Sequence, residues 1–283
     1  MKTNKETFAI IGGDMRCYYL ANALRNDGYN VKLCGFDKLT DSCEIAEALD
    51  SDILVLPVIP FENGKQISSP FTDGNINLDG CAEKLSGKLI FTGKKENFLR
   101  EFPLISSQNV KSYSDNEEFS VKNAVPTAEG AIEEAMKHSD STISGSKILV
   151  CGYGRIGKVL SEMLRGMGAD VTISARKKSD LAWIELNGFK GIVTGEFHDI
   201  SHYSIIFNTV PFLVFNKEIL GRISKDALII DLASKPGGVD FDEAKARGIR
   251  TVHALSLPGK TAPRSAGEII ESTILGILEE DDG

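Results

Sequence analysis

Short apolar runs alternate with helical stripes along this chain, and that rhythm predicts its elements. Phe8–Ile11 reads as a buried strand, followed by the turn Gly12-Gly13-Asp14-Met15-Arg16 and a helix from Tyr18 to Leu24. Gly28 ends that helix, and Val31–Leu33 is the next strand. Ile53–Val58 and Leu89–Thr92 are further apolar runs. Between them Phe61 to Gly80 is rich in Gly, Pro, Ser, Asn and Asp and reads as a long loop. Val110 to Val121 is short and polar enough to be a domain margin. Thr127 to His138 places Ala128, Ala131, Ile132, Ala135 and Met136 on one helical face, with Pro126 at its start and Glu129 in its first turn. Ser139 to Ser146 is a polar linker, so this helix is expected to bridge two domains.

A second βα series follows. Ile148 to Cys151 is an apolar strand, and Val159, Leu160, Met163, Leu164 and Met167 form a helical stripe just beyond it. Strands are predicted at Val171–Ser174, Gly191–Val193, Ser204–Asn208, Ala227–Asp231 and Arg250–His253, with helices at Leu181–Asn187, Lys217–Ile223 and Phe241–Arg247. Such alternation makes a doubly wound parallel sheet. Ala254 to Arg264 reads as a loop. The last helix, Ser265–Glu280, carries Ala266, Ile269, Ile270, Thr273, Ile274, Ile277 and Leu278 on one stripe and must cover something. It is expected to cross back to the first domain and pair with Thr127–His138 as the hinge of a cleft. The fold class is therefore α/β: two Rossmann-like βα domains joined by bridging helices, with the doubly wound sheet in the second. The expected boundaries are 1–126 with 264–283 packing back on it, and 127–263.

Composition narrows the partners. A length of 283 residues suits one large or two medium domains, and 42% apolar with 25% charged residues is ordinary for a soluble globular protein. A net charge of −8 argues against nucleic acid or an anionic membrane as the main partner. No stretch approaches the 18 apolar residues of a membrane span. The five cysteines (Cys17, Cys34, Cys43, Cys81, Cys151) lack metal-finger or C-x-x-C spacing. They read as reduced packing residues in a cytoplasmic protein, and no metal site is expected.

Candidate chemistry centres on Gly152-Tyr153-Gly154-Arg155-Ile156-Gly157, set between a strand and a helix. Gly152 allows a tight turn, Gly154 lets backbone approach a pyrophosphate, and Gly157 lets the helix pack near the strand, so free N–H groups face the phosphates. Arg155 and Ile156 complete the turn. About twenty residues on, an NAD site usually carries an acidic residue for the ribose 2′-hydroxyl. Here Ser174, Arg176, Lys177 and Lys178 follow the second strand, which favours a 2′-phosphate and hence NADP; a solvated basic turn is the alternative. Other cofactor contacts are expected at strand ends: Asn208, Thr209, Val210 and Pro211, then Asp231, Ala233 and Ser234, unless these are ordinary turns. Substrate anions are assigned to Arg16, Thr127, Lys235 and Arg264. For Arg16 at a helix start, a substrate carboxylate and a pairing with Asp14 both stand as readings. Of His138, His198, His202 and His253, none has an evident carboxylate partner and a place at a strand end together, so the catalytic base is left open.

Ile11-Gly12-Gly13-Asp14-Met15-Arg16, Pro126-Thr127-Ala128-Glu129-Gly130, the glycine turn, Asn208–Pro211, Asp231–Gly238 and Leu257-Pro258-Gly259 with Ala262-Pro263 together resemble the A-subunit family of dipicolinate synthase from spore-forming bacteria. The resemblance runs from about Phe8 to Ile277. The glycine turn is shared by many families, whereas the front Gly-Gly-Asp-x-Arg with the late Leu-Pro-Gly is more specific. It implies NADP-linked oxidation of a dihydrodipicolinate to dipicolinate in sporulation, with a flavoprotein-like B subunit beside it. Assembly as a homo-oligomer is also expected. The wider architecture resembles D-2-hydroxyacid and alanine dehydrogenases. An NADP-dependent 2-hydroxy acid or amino acid dehydrogenase is one alternative, and another is a non-catalytic NADP-binding scaffold subunit. Lack of an obvious base favours the aromatising reaction, whose driving force lies in its product.

Overall fold

The computed structural model describes residues 6–61 and 63–282. The chain forms two compact units, Met1–Asn123 with Ala262–Gly283, and Ala124–Thr261.

In chain order the first unit contains β1 (Thr7–Ile11), α1 (Met15–Asn26), β2 (Asn30–Cys34), α2 (Ile45–Ala48), β3 (Ile53–Val55), β4 (Gln66–Ile67), β5 (Ile76–Asn77), α3 (Ala82–Leu85), β6 (Leu89–Thr92), α4 (Lys95–Glu101), β7 (Val110–Ser112) and α5 (Glu117–Lys122). Five strands pair in parallel in the order β2-β1-β3-β6-β7. The two-residue period of a strand sends alternate side chains to opposite faces. Ala9, Ile11, Leu54 and Ile90 join Leu78, Leu85 and Phe98 on one side. Phe8, Ile10, Val55 and Phe91 meet Leu20, Leu24, Tyr113, Ile270 and Ile274 on the other.

Two stretches here differ from expectation. The long loop holds an antiparallel hairpin of β4 and β5, whose Ile67 and Ile76 are buried. Ile67 lies against Gly12, and the Gly13 N–H donates to the Ser68 carbonyl at 2.7 Å, so the hairpin is fastened at the carboxyl end of β1. The supposed margin supplies the edge strand β7 and helix α5, whose N-cap Asn116 accepts from the Phe119 N–H at 3.1 Å.

The second unit runs α6 (Ala124–His138), β8 (Lys147–Cys151), α7 (Arg155–Gly166), β9 (Asp170–Ala175), α8 (Lys178–Leu186), β10 (Lys190–Val193), β11 (Ile205–Asn208), α9 (Lys217–Leu220), β12 (Leu228–Asp231), α10 (Phe241–Ala246), β13 (Arg250–His253) and α11 (Leu257–Thr261). Its six parallel strands lie in the order β10-β9-β8-β11-β12-β13. Ile148, Val150 and Phe207 pack beneath Ala131, Leu160 and Leu164, while Leu149, Cys151 and Ile206 face Phe197, Phe215 and Leu220. Strand order reverses between β8 and β11, and ligands of such sheets lie outside the carboxyl ends at that point.

Residues expected as a late loop form α11 instead. It docks on α6, where the Thr261 hydroxyl donates to Glu133 Oε2 at 2.7 Å. A Cβ at Gly130 would come within 2.8 Å of Leu257 Cβ, so only a glycine lets the two helices approach this closely. The final helix α12 (Pro263–Asp282) belongs to the first unit and packs on α1 and α5, whereas α6 packs on α7 and α11. Its apolar stripe covers α1, and at Gly267 the helices come so near that an added Cβ would lie 2.6 Å from the Arg16 carbonyl oxygen and 2.8 Å from the Leu20 nitrogen.

Candidate functional site

At the carboxyl end of β8 the backbone enters the left-handed region at Gly152, φ +104°, where a side chain would strike Thr209 Oγ1. The Gly152 N–H donates to the Ser174 carbonyl at 2.9 Å, tying the turn to β9. The Thr209 hydroxyl donates to the Cys151 carbonyl at 3.0 Å and closes the other side. Gly157 is buried, and a Cβ there would overlap the Gly152 carbonyl oxygen. Gly154 is different. It is exposed, it caps α7 without a side-chain hydrogen bond, and an added Cβ would meet no protein atom within 4 Å. Arg155 is exposed and Ile156 half-buried beside it. The turn therefore presents a helix start with open space before it, which suits a phosphate group.

Around that turn the sequence-assigned residues divide. Arg176, Lys177 and Lys178 are exposed beyond β9. Ser174 is not available: it is fully buried, and its hydroxyl accepts from Thr194 Oγ1 at 3.0 Å. It sits within the strand, so its side chain follows the pleat inward. Asn208 and Asp231 are likewise fully buried and bind each other, Nδ2 to Oδ1 at 2.8 Å. Asn208 also donates to the Val210 carbonyl at 3.0 Å and accepts the Val210 N–H at 3.2 Å. Asp231 accepts the N–H groups of Ala233 at 3.1 Å and Gly238 at 2.7 Å. Ala233 is buried, and its carbonyl accepts from His253 Nε2 at 2.9 Å. The side chains of Asn208, Asp231 and Ala233 are thus turned into the protein and brace the strand ends, leaving their backbone as what a cofactor would meet there. Sequence reasoning missed the reason for Gly237-Gly238: side chains there would strike Asp231 and Asn208. The doubled glycine after a strand was the available signal. Thr209 and Val210 are half-buried, and Pro211, Ser234 and Lys235 are exposed at this edge.

In the first unit Asp14 caps α1 and grips Arg16. Nε lies 2.9 Å from Oδ1 and Nη2 lies 2.8 Å from Oδ2, while the Arg16 N–H donates to Oδ1 at 3.0 Å. Burial alone would push the Asp14 carboxyl up and the Arg16 guanidinium down. Their shared hydrogen bonds and charges outweigh it, holding the Asp14 carboxyl below its usual range and the guanidinium above its own. Nη1 has no hydrogen bond among the described residues. Thr127 does not open its helix: α6 begins three residues earlier, and Thr127 is buried within its first turn. Arg264 lies on the exposed start of α12 and pairs with Glu268 at 3.0 Å. Both therefore lie inside helices rather than at an open helix start or in a loop.

Burial raises the thiols of Cys17, Cys34 and Cys151 to about 12, so they stay protonated. Among the described residues no group of three or more His, Cys, Asp or Glu is placed to hold a metal ion, and no helix is long and apolar enough to cross a membrane. His202 lies 3.6 Å from Asp199 in the connection before β11, away from the strand ends.

Residues 123–254 match the family model for the NAD-binding domain of S-adenosyl-L-homocysteine hydrolase. Together with the strand order and the glycine turn, this makes the second unit a nicotinamide-dinucleotide-binding domain and the chain a dehydrogenase-type subunit. Residues 7–114 match the family model for the N-terminal domain of the dipicolinate synthase A subunit. The A subunit of dipicolinate synthase from Bacillus subtilis is 31% identical, over 96% of this chain and 95% of that one. The crystal structure of the corresponding Bacillus halodurans protein superposes with a TM-score of 0.89 at 27% identity, covering 96% of this chain and 97% of that one. A transhydrogenase from Sinorhizobium meliloti, at 16% identity and a TM-score of 0.70 over 97% and 94% of the two chains, shares the fold. The chain belongs to the A-subunit family of dipicolinate synthase.

Proposed function

We propose that this chain is the NADP-linked dehydrogenase subunit of a dipicolinate synthase, oxidising a dihydrodipicolinate to dipicolinate in the cytoplasm of a sporulating cell, partnered by a flavoprotein-like second subunit. The observation that carries this reading is the identity to the Bacillus subtilis protein over nearly the full length of both chains. The space before α7 supports the cofactor, since Gly154 answers to no packing demand of the protein itself. Backbone N–H groups at the α7 start would hold the pyrophosphate, and Arg176 with Lys177 the 2′-phosphate. The dinucleotide, when bound, supplies the hydride acceptor.

Removing hydride and a proton from a dihydropyridine leaves an aromatic ring, so the protein's task is to orient the ring and bind its carboxylates. Arg16, fixed by Asp14 with Nη1 left over, and the exposed Lys235 are the cations we assign to carboxylates. His253, at the strand ends, is held by a backbone carbonyl rather than a carboxylate, which does not favour a 2-hydroxy acid dehydrogenase. The test is NADPH formation at 340 nm with dihydrodipicolinate, with the second subunit present, and chromatography of the product. Absence of dipicolinate with both NADP and NAD would sink the reading. Arg16→Ala and Lys235→Ala should each raise KM or lower kcat with NADPH affinity unchanged; wild-type turnover in both would remove them as anchors.

A further inference from the structure

Phe212 follows β11 and leaves 60% of its surface in water, with Leu213 beside it at 59%. Three residues on, Phe215 is fully buried and stacked on Phe197, so this loop has access to a core that Phe212 does not use. The loop is held open by its anchors: the N–H groups of Val214 and Phe215 both donate to the Gly238 carbonyl at 3.0 Å. An aromatic ring held in water forgoes burial worth about 25 cal/mol per Å², so its position calls for a reason.

That reason lies across the sheet. The guanidinium carbon of Arg176, just past β9, sits 5.4 Å from the centre of the Phe212 ring. β9 and β11 flank β8, and two strand spacings amount to about 10 Å. The Arg176–Phe212 contact therefore spans the space above the end of β8, where the glycine turn begins. Arg176 has no carboxylate partner among the described residues. A guanidinium resting on a π face keeps its N–H edge available for an incoming anion.

We propose that Phe212 sets the preference for the 2′-phosphorylated dinucleotide by holding Arg176 over the glycine turn. It is a positioning residue, and the proposal rests on reading the second unit as an NADP site. NADPH and NADH dissociation constants are measured on the full chain for the wild type, Arg176→Ala, Phe212→Ala, Phe212→Tyr and the double alanine variant, with thermal unfolding as the check on folding. Phe212→Ala weakens NADPH about threefold to thirtyfold, the range of a cation–π contact, and leaves NADH within about twofold. Phe212→Tyr restores the wild-type preference, and in the Arg176→Ala background the loss of Phe212 adds nothing. Equal loss for both dinucleotides, or none, overturns the proposal. If Arg176→Ala abolishes the NADPH preference and Phe212→Ala does not, this inference fails while the NADP reading stands. If the wild type shows no NADPH preference, both fall.

Discussion

Gly154 and Gly157 stand one helical turn apart and answer to different demands. Gly157 is required by the protein, because its missing Cβ makes room for the Gly152 carbonyl; Gly154 has open space around it. Gly157→Ala should therefore destabilise the second unit by about 1–3 kcal/mol through overpacking, read as a lowered thermal transition. Gly154→Val should leave that transition nearly unchanged and abolish protection by NADPH. If both variants melt like the wild type, the close packing at Gly157 is misjudged. This glycine pattern was legible because its spacing reports backbone geometry. The burial of Ser174, Asn208 and Asp231 was not legible, because their spacing says that they end a strand and nothing about which way the pleat turns them. Ser174 meets Thr194 and Asn208 meets Gly238, both well separated in sequence, while Gly237 closes on Asp231 from the turn just after its strand.

Elements with strong periodicity emerged with small shifts: Leu89–Thr92 and Arg250–His253 form as read, and the last helix gained two residues at each end. Those built from few residues did not. β4, β5 and β7 have two or three residues each, too short for a period to show, and the Leu-Pro-Gly of α11 resembles a breaker although Pro is tolerated in a first helical turn. Contact between α1 and α12 offers a test at this scale. Gly267→Val should push the helices apart and lower stability by about 1–3 kcal/mol. Glu271 on α12 is raised to about 7, first by burial and then by its hydrogen bond to and repulsion from Asp27, with Glu268 adding to it. A carboxyl whose folded value lies above its unfolded one holds its proton more tightly in the native state, so stability falls as pH rises from about 4.5 towards 7. Glu271→Gln should consequently raise the melting temperature at pH 8 and change it little at pH 5. A variant that melts like the wild type at both values would remove Glu271 as the cause.

Each unit of the whole molecule has its own parallel sheet, with apolar side chains packed on both faces. A fragment of residues 124–261 should accordingly fold and bind NADPH within a few-fold of the full chain, as checked by fluorescence titration; failure to fold would show that its cores depend on the rest. The first unit offers no such continuous fragment, because Ile270 and Ile274 of α12 complete one of its cores. That return of the chain imposes an order on the ribosome. The second unit emerges entire before α12 follows, so the unit synthesised first is the last to close. A nascent chain stalled before Ala262 should leave the α1 face open to protease or chaperone while the dinucleotide domain is already protected, and the interval lasts as long as translation of the intervening residues 124–261 requires, about 7–28 s at roughly 5–20 residues per second.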